Sequence, residues 1–199
     1  MKALILSCNT GQGHNSAGQA LINEFHSRGV ECDMTDALAF GSEFASEVVS
    51  KIHSKCVLNA PALFAAGYKA AEMIDDKALK HSPCYVANAT YSNELYKYIT
   101  EKGYDTIIMP HVFPSEALTR IKRKHAPALR TYFVGTDYAY PPFLKDTDVD
   151  KYFIAHRDLA DEFTQNGISR EKLVPLGIPV SQKFLVKADK KEARHSLGL

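Results

Sequence analysis

Short apolar runs alternate along this chain with longer stretches whose apolar residues recur at helical spacing, and few folds accommodate that alternation. Parallel strands need a long crossover between them, so strand-helix-strand order predicts βα units feeding a parallel sheet. Ala3-Leu-Ile-Leu-Ser7 is the first expected strand. Ala17, Ala20, Leu21 and Phe25 then define a helix ending near Arg28-Gly29, and Val30 to Asp36 reads as a second strand. Ser42 to Ile74 predicts two helices rather than one, because Pro61 in Asn59-Ala60-Pro61 suits a helix start better than a helix interior. A helix is expected over Asn88 to Lys102, with Leu95, Tyr98 and Ile99 on one face and Gly103 closing it. The strand Thr106 to Met109, the helix Ser115 to Lys124 and the strands Arg130 to Val134 and Lys151 to Ala155 follow. A helix over Asp158 to Gln165, ended by Asn166-Gly167, completes the pattern. The expected fold class is α/β, a doubly wound, mostly parallel Rossmann-like sheet.

At 199 residues, 45% of them hydrophobic, the chain is long enough to bury one full core. Twenty-four basic side chains against 23 acidic ones make no broad basic field, which disfavours nucleic acid as a partner. Cys8, Cys32, Cys56 and Cys84 are too dispersed for a zinc spacing and read as reduced core thiols; no metal or other cofactor is expected. The first apolar run, Ala3 to Leu6, is too short for a signal-peptide core, and no stretch approaches the length of a membrane span. The expected location is cytoplasmic, with contact to a membrane only from its surface. After Gly177-Ile-Pro179 the sequence turns polar, and Lys190 to Leu199 reads as a helix. Residues 1–185 are expected to form one domain and residues 186–199 to begin an interdomain linker.

Ligands of open α/β sheets bind outside the carboxyl ends of the strands, so the turn after the first strand is where chemistry is sought. It reads Ser7-Cys-Asn-Thr-Gly11-Gln-Gly13-His14-Asn15-Ser16. The glycines let backbone approach a ligand, and the amides of the helix start face it. No Lys-Ser/Thr pair follows, so this is no P-loop, and the third glycine of a dinucleotide fingerprint is missing. His14 is positioned to take a proton from an incoming hydroxyl; the plainer alternative is that it caps the helix or bonds a nearby carbonyl. Asp137, after an apolar strand, either orients a ligand or His14, or caps the following turn. His111, just past a strand end, is a second site candidate against the description of a surface-loop histidine.

Four motifs in register carry a family resemblance: Gly11-x-Gly13-His14, Phe133-Val-Gly-Thr136-Asp137-Tyr138, Val149-Asp-Lys-Tyr-Phe-Ile-Ala155, and Gly177-Ile-Pro179-Val180 with Phe184. Together they resemble the N-terminal domain of monogalactosyldiacylglycerol synthases and processive diacylglycerol glucosyltransferases. The resemblance implies the N-terminal half of a GT-B fold: an acceptor-binding domain whose partner domain, for the sugar nucleotide, lies outside this chain. It implies an inverting, metal-free hexosyl transfer from a UDP-sugar to a diacylglycerol-type lipid, with His14 as base and Asp137 as its catalytic companion. Gly11, Gly13, Asn15, Tyr138 and His111 are the expected acceptor or substrate contacts. Where relatives commonly show His-Pro and then an aromatic, this chain has Tyr140-Pro141-Pro142-Phe143.

The resemblance further implies docking on an anionic membrane surface through residues 44–68. Phe44, Val48, Ile52 and Cys56 recur at helical intervals among Lys51, His53 and Lys55, and Pro61-Ala-Leu-Phe-Ala-Ala-Gly-Tyr68 follows. The apolar residues of the first helix equally suit packing on the sheet, so Leu63, Phe64 and Tyr68 are the membrane candidates. Two other functions stay open on the sequence: a sugar-nucleotide epimerase or hydrolase on the same scaffold, and a lipid-binding module without catalysis.

Overall fold

The computed structural model describes residues 1–8, 12–41, 69, 82–186 and 189–198. Elements are numbered over those residues. In chain order they are β1 (Lys2–Ser7), α1 (Gln12–Ser27), β2 (Glu31–Asp36), α2 (Pro83–Ala89), α3 (Ser92–Lys102), β3 (Thr106–Met109) and α4 (Val112–His125). Then come β4 (Arg130–Val134), β5 (Lys151–Ile154), α5 (Ala160–Gln165), β6 (Leu173–Pro175) and α6 (Lys190–Ser196). Apart from Lys69, the two helices expected between Ser42 and Ile74 lie outside the described residues.

The six strands form one sheet in the order β2-β1-β3-β4-β5-β6, every neighbouring pair parallel. Successive strand residues point to opposite faces, so a strand buried on both sides is apolar throughout. Leu4, Leu6, Ile107, Met109 and Phe133 pack with Leu95 and Ile99 of α3 and Leu118 and Ile121 of α4. Ala3, Ile5, Cys32, Ile108 and Val134 face the other way, toward Leu21, Ile22 and Phe25 of α1. Helices on both faces of a parallel sheet make the doubly wound α/β fold expected above.

Three local readings change. The helix expected over Asn88 to Lys102 is two helices, α2 and α3. The hydroxyl of Thr90 donates to the Ala87 carbonyl at 2.7 Å and that of Ser92 to the Ala89 carbonyl at 2.8 Å, while Tyr91 leaves helical geometry at φ −93, ψ 3. Such hydroxyls offer carbonyls an alternative to the helical ladder. Gly103 does close α3, in the left-handed region at φ 72. Next, α4 begins at Val112 rather than Ser115, with Pro114 inside its first turn, where an amide has no helical partner to lose. Finally, the three-residue edge strand β6 escaped the sequence pattern, being too short to show alternation.

Cys8 and Cys32 are buried free thiols, and burial pushes the Cys8 thiol pKa well above its ordinary value and that of Cys32 up to about 11. Neither is a ready nucleophile.

Close packing of α1 on the sheet depends on Gly18. A Cβ there would stand 2.7 Å from Met34 Sδ and 3.3 Å from Ile5 Cγ2. Gly18→Leu therefore overpacks this contact and is expected to cost about 1–3 kcal/mol, read as a lower urea midpoint at unchanged slope. Parental stability in that variant would mean that α1 is not seated by this glycine.

Candidate active site

The chain runs from β1 to β2 on one side, while β3 lies on the other side of β1, so the winding direction of the sheet reverses there. Crevices outside the carboxyl ends of strands at such a reversal are the binding sites of open α/β sheets. Three strand ends meet at this one: β1 leads into α1, β3 into Pro110 and His111, and β4 into Gly135, Thr136 and Asp137.

His14, in the first turn of α1, brings them together. Its Nδ1 lies 2.8 Å from the carbonyl oxygen of Pro110 and 2.9 Å from the hydroxyl of Thr136. A carbonyl oxygen only accepts, so Nδ1 carries the hydrogen and, in the neutral ring, the basic lone pair is on Nε2. The plainer role considered for His14, a bond to a nearby carbonyl, is thus present, and it sets the tautomer a general base needs. The Thr136 hydroxyl in turn stands 3.5 Å from Asp137 Oδ2. Asp137 is exposed and is linked to His14 through Thr136.

Asn15 fastens the start of α1 to the end of β1 by accepting from Ser7 Oγ at 2.6 Å. His111 caps α4: its Nδ1 accepts from the Phe113 amide at 3.1 Å, which in a neutral ring puts the hydrogen on Nε2. Its ring also meets His14 edge-on, with centroids 4.6 Å apart and planes at 79°. Gly13 is exposed with open space where a Cβ would sit, so packing among the described residues does not require glycine there. Tyr138 is 71% exposed beside Asp137. Gly11 and the membrane candidates Leu63, Phe64 and Tyr68 lie outside the described residues.

The sequence allowed His14 a bond to some nearby carbonyl but pointed to neither Pro110 nor Thr136 as its partner. Thr136 sits beside Asp137 in a quoted motif and was legible as a strand-end hydroxyl; the Pro110 carbonyl belongs to the backbone and leaves no residue-type signal. Among the described residues no group of three or more His, Cys, Asp or Glu side chains converges as metal ligands. An apolar cavity of about 470 Å³ lies away from this crevice, between α1 and the sheet, lined by Leu21, Phe25, Ile108, Tyr132 and Phe153 among others. It offers none of the groups assembled around His14.

Residues 14–180 match the family described as monogalactosyldiacylglycerol (MGDG) synthase. The chain is similar to a processive diacylglycerol beta-glucosyltransferase of Bacillus cereus, 25% identical over 194 residues that cover 94% of this chain and 47% of that protein. A second relative of the same description, from Bacillus cytotoxicus, is 25% identical over 189 residues, covering 92% of this chain and 46% of its own length. The chain thus spans about half the length of the curated relatives it matches. Among solved structures it is similar in fold to the apo form of the lipopolysaccharide outer core galactosyltransferase WaaB. That likeness has a TM-score of 0.55 at 12% identity and covers 89% of this chain and 45% of the other.

Proposed function

The chain belongs to the monogalactosyldiacylglycerol synthase family, and from that premise we propose that it supplies the acceptor domain and general base of an inverting glycosyltransferase. The reaction is transfer of a hexosyl group from a UDP-sugar to a diacylglycerol-type lipid. The observation that carries the reading is the Nδ1 of His14 held on the Pro110 carbonyl, which leaves the basic lone pair on Nε2.

Nε2 takes the proton of the acceptor hydroxyl as its oxygen attacks the anomeric carbon, and the bond to UDP breaks on the opposite face with both electrons leaving on the diphosphate. The imidazolium so formed is stabilised by the carbonyl and hydroxyl at Nδ1, with the Asp137 carboxylate one hydrogen bond further out. The departing diphosphate needs cations or helix N-termini around it. We assign those to a second domain of the complete protein, in keeping with relatives of which this chain matches 47%.

The lipid acceptor resides in a bilayer, and among the described residues no helix is long and apolar enough to cross one. We assign surface attachment to Leu63, Phe64 and Tyr68, with Lys51 and Lys55 drawing the segment to anionic lipid on the cytoplasmic face.

The test is turnover by the complete protein with UDP-glucose and UDP-galactose on diacylglycerol vesicles, read as glycolipid by mass spectrometry. Product from neither donor would remove the reading. Within an active protein, Thr136→Val should lower kcat about tenfold, the worth of one hydrogen bond to a charged ring, while Thr136→Ser retains most of it. Equal rates for both variants and the parent would show that the hydroxyl does not support the base.

A further inference from the structure

The end of β3 touches His14 at two points. The Pro110 carbonyl meets Nδ1 at 2.8 Å, and the next residue, His111, sets its ring edge-on to the imidazole, with centroids 4.6 Å apart and planes at 79°. Pro110 and Thr136 both hold Nδ1, so the imidazole is tethered to the chain through Cβ and fastened at one ring atom. A ring held so can still rock about the line joining those two points, and Nε2, at its far side, moves with it. A second ring against the imidazole supplies the missing support.

We propose that His111 is a positioning residue, whose ring holds the imidazole of His14 in the orientation that aims Nε2 at the acceptor hydroxyl. This role rests on the reading of His14 as the base and names what sets the aim of that base. His111 can serve because it is itself fixed. Its Nδ1 accepts from the Phe113 amide at 3.1 Å, its ring meets that of Phe113 with centroids 4.5 Å apart, and its carbonyl accepts from Ser115 Oγ at 3.0 Å. The helix it caps is anchored without help from the His111 ring. Ser115, Glu116 and Ala117 are fully buried, and the Glu116 carboxylate accepts from Ser82 Oγ at 3.3 Å and from Asn88 Nδ2 at 2.6 Å. A cap that accepts an amide hydrogen at Nδ1 needs its lone pair there, and a helix N-terminus disfavours added positive charge. His111 is thus kept as the neutral ring beside the imidazolium that His14 becomes. Edge-to-face contact between rings is directional, which suits it to orienting a neighbour.

Two variants of the complete protein separate the cap from the ring. His111→Asn keeps a good N-cap and removes the ring; His111→Phe keeps a ring and removes the cap. The readouts are kcat, acceptor KM, thermal midpoint and, in histidine-labelled protein, the NMR shifts of the His14 ring protons, which a neighbouring ring displaces. His111→Asn should keep the thermal midpoint near parental and leave acceptor KM unchanged. It should lower kcat about tenfold, the upper worth of one edge-to-face pair, and abolish the displacement of the His14 protons. His111→Phe should lower the thermal midpoint yet recover most of the lost kcat and restore displaced His14 protons. A residue that only caps α4 would give the opposite order, with activity following stability. In a His14→Ala background, His111→Asn should cost nothing further, since the ring acts through His14. The rise of rate with pH should persist in both variants, because His14 and Asp137 are untouched. Parental kcat in His111→Asn would overturn the assignment. So would a raised acceptor KM at unchanged kcat, which makes His111 an acceptor contact, or loss of the pH limb, which makes it the base. A complete protein that transfers no sugar removes the reading of His14, whereas an unchanged His14 spectrum in His111→Asn refutes the hold on its ring whatever the turnover.

Discussion

His14→Ala is expected to lower kcat of the complete protein by about 10²- to 10⁴-fold, the usual worth of a positioned general base. The change removes the proposed base but leaves the first turn of α1 with the best helix former, so circular dichroism and thermal midpoint should be near parental. Donor KM changes little, since the sugar nucleotide is assigned to other residues. Acceptor KM rises modestly if Nε2 also bonds the reactive hydroxyl before transfer. With His14 as base, the parental rate is expected to climb with pH across the range in which an imidazole ordinarily titrates, because only the neutral ring accepts a proton, and the alanine variant should lose that limb. Asp137→Asn gives a second reading. If the carboxylate acts through Thr136 on the imidazole, the double variant is little worse than His14→Ala alone, as groups that act as a unit are non-additive. Near-parental kcat with an unchanged pH profile in His14→Ala would make this residue only an anchor between α1 and Pro110, with Asp137 next to be tested as the base.

Leu63→Ser with Phe64→Ser is expected to weaken binding of the complete protein to anionic vesicles by about 10²-fold if the proposed attachment is right. Full burial of a Leu or Phe side chain is worth about 1.5–3 kcal/mol, and partial insertion of two leaves about 3 kcal/mol to lose. Parental binding should also fall as salt is raised, since attraction between exposed cations and anionic lipid is screened within about 10 Å at 0.1 M. Cosedimentation at two salt concentrations reads both effects. A folded double variant that binds like the parent moves the membrane contact to another part of the surface.

Much of this molecule was legible because its signals are local. Five strands appear close to where apolar runs stand, and the helix faces of Leu95 and Ile99 on α3 and of Leu21 and Phe25 on α1 appear where helical spacing put them. What failed locally had a local cause: the hydroxyls of Thr90 and Ser92 bind carbonyls and divide an apparent single helix, and β6 spans only three residues. Gly18, the glycine that seats α1, stood outside the glycine motif, because its need comes from Met34 and Ile5 rather than from a turn.

The sequence by itself determined the parallel α/β class and the placement of His14 at the turn after the first strand, since strand burial and helix period are written in consecutive residues. Tertiary structure alone decided which nitrogen of His14 carries the hydrogen. Pro110 and Thr136 are 96 and 122 residues away, and both reach Nδ1 only because the sheet sets β3 beside β1 and β4 beside β3. The same strand order turned His111 from an apparent loop residue into the cap of α4 with its ring against His14. A strand order is a long-range pairing that no short window of residues encodes, and the proton on an imidazole follows from what that pairing brings within hydrogen-bond reach.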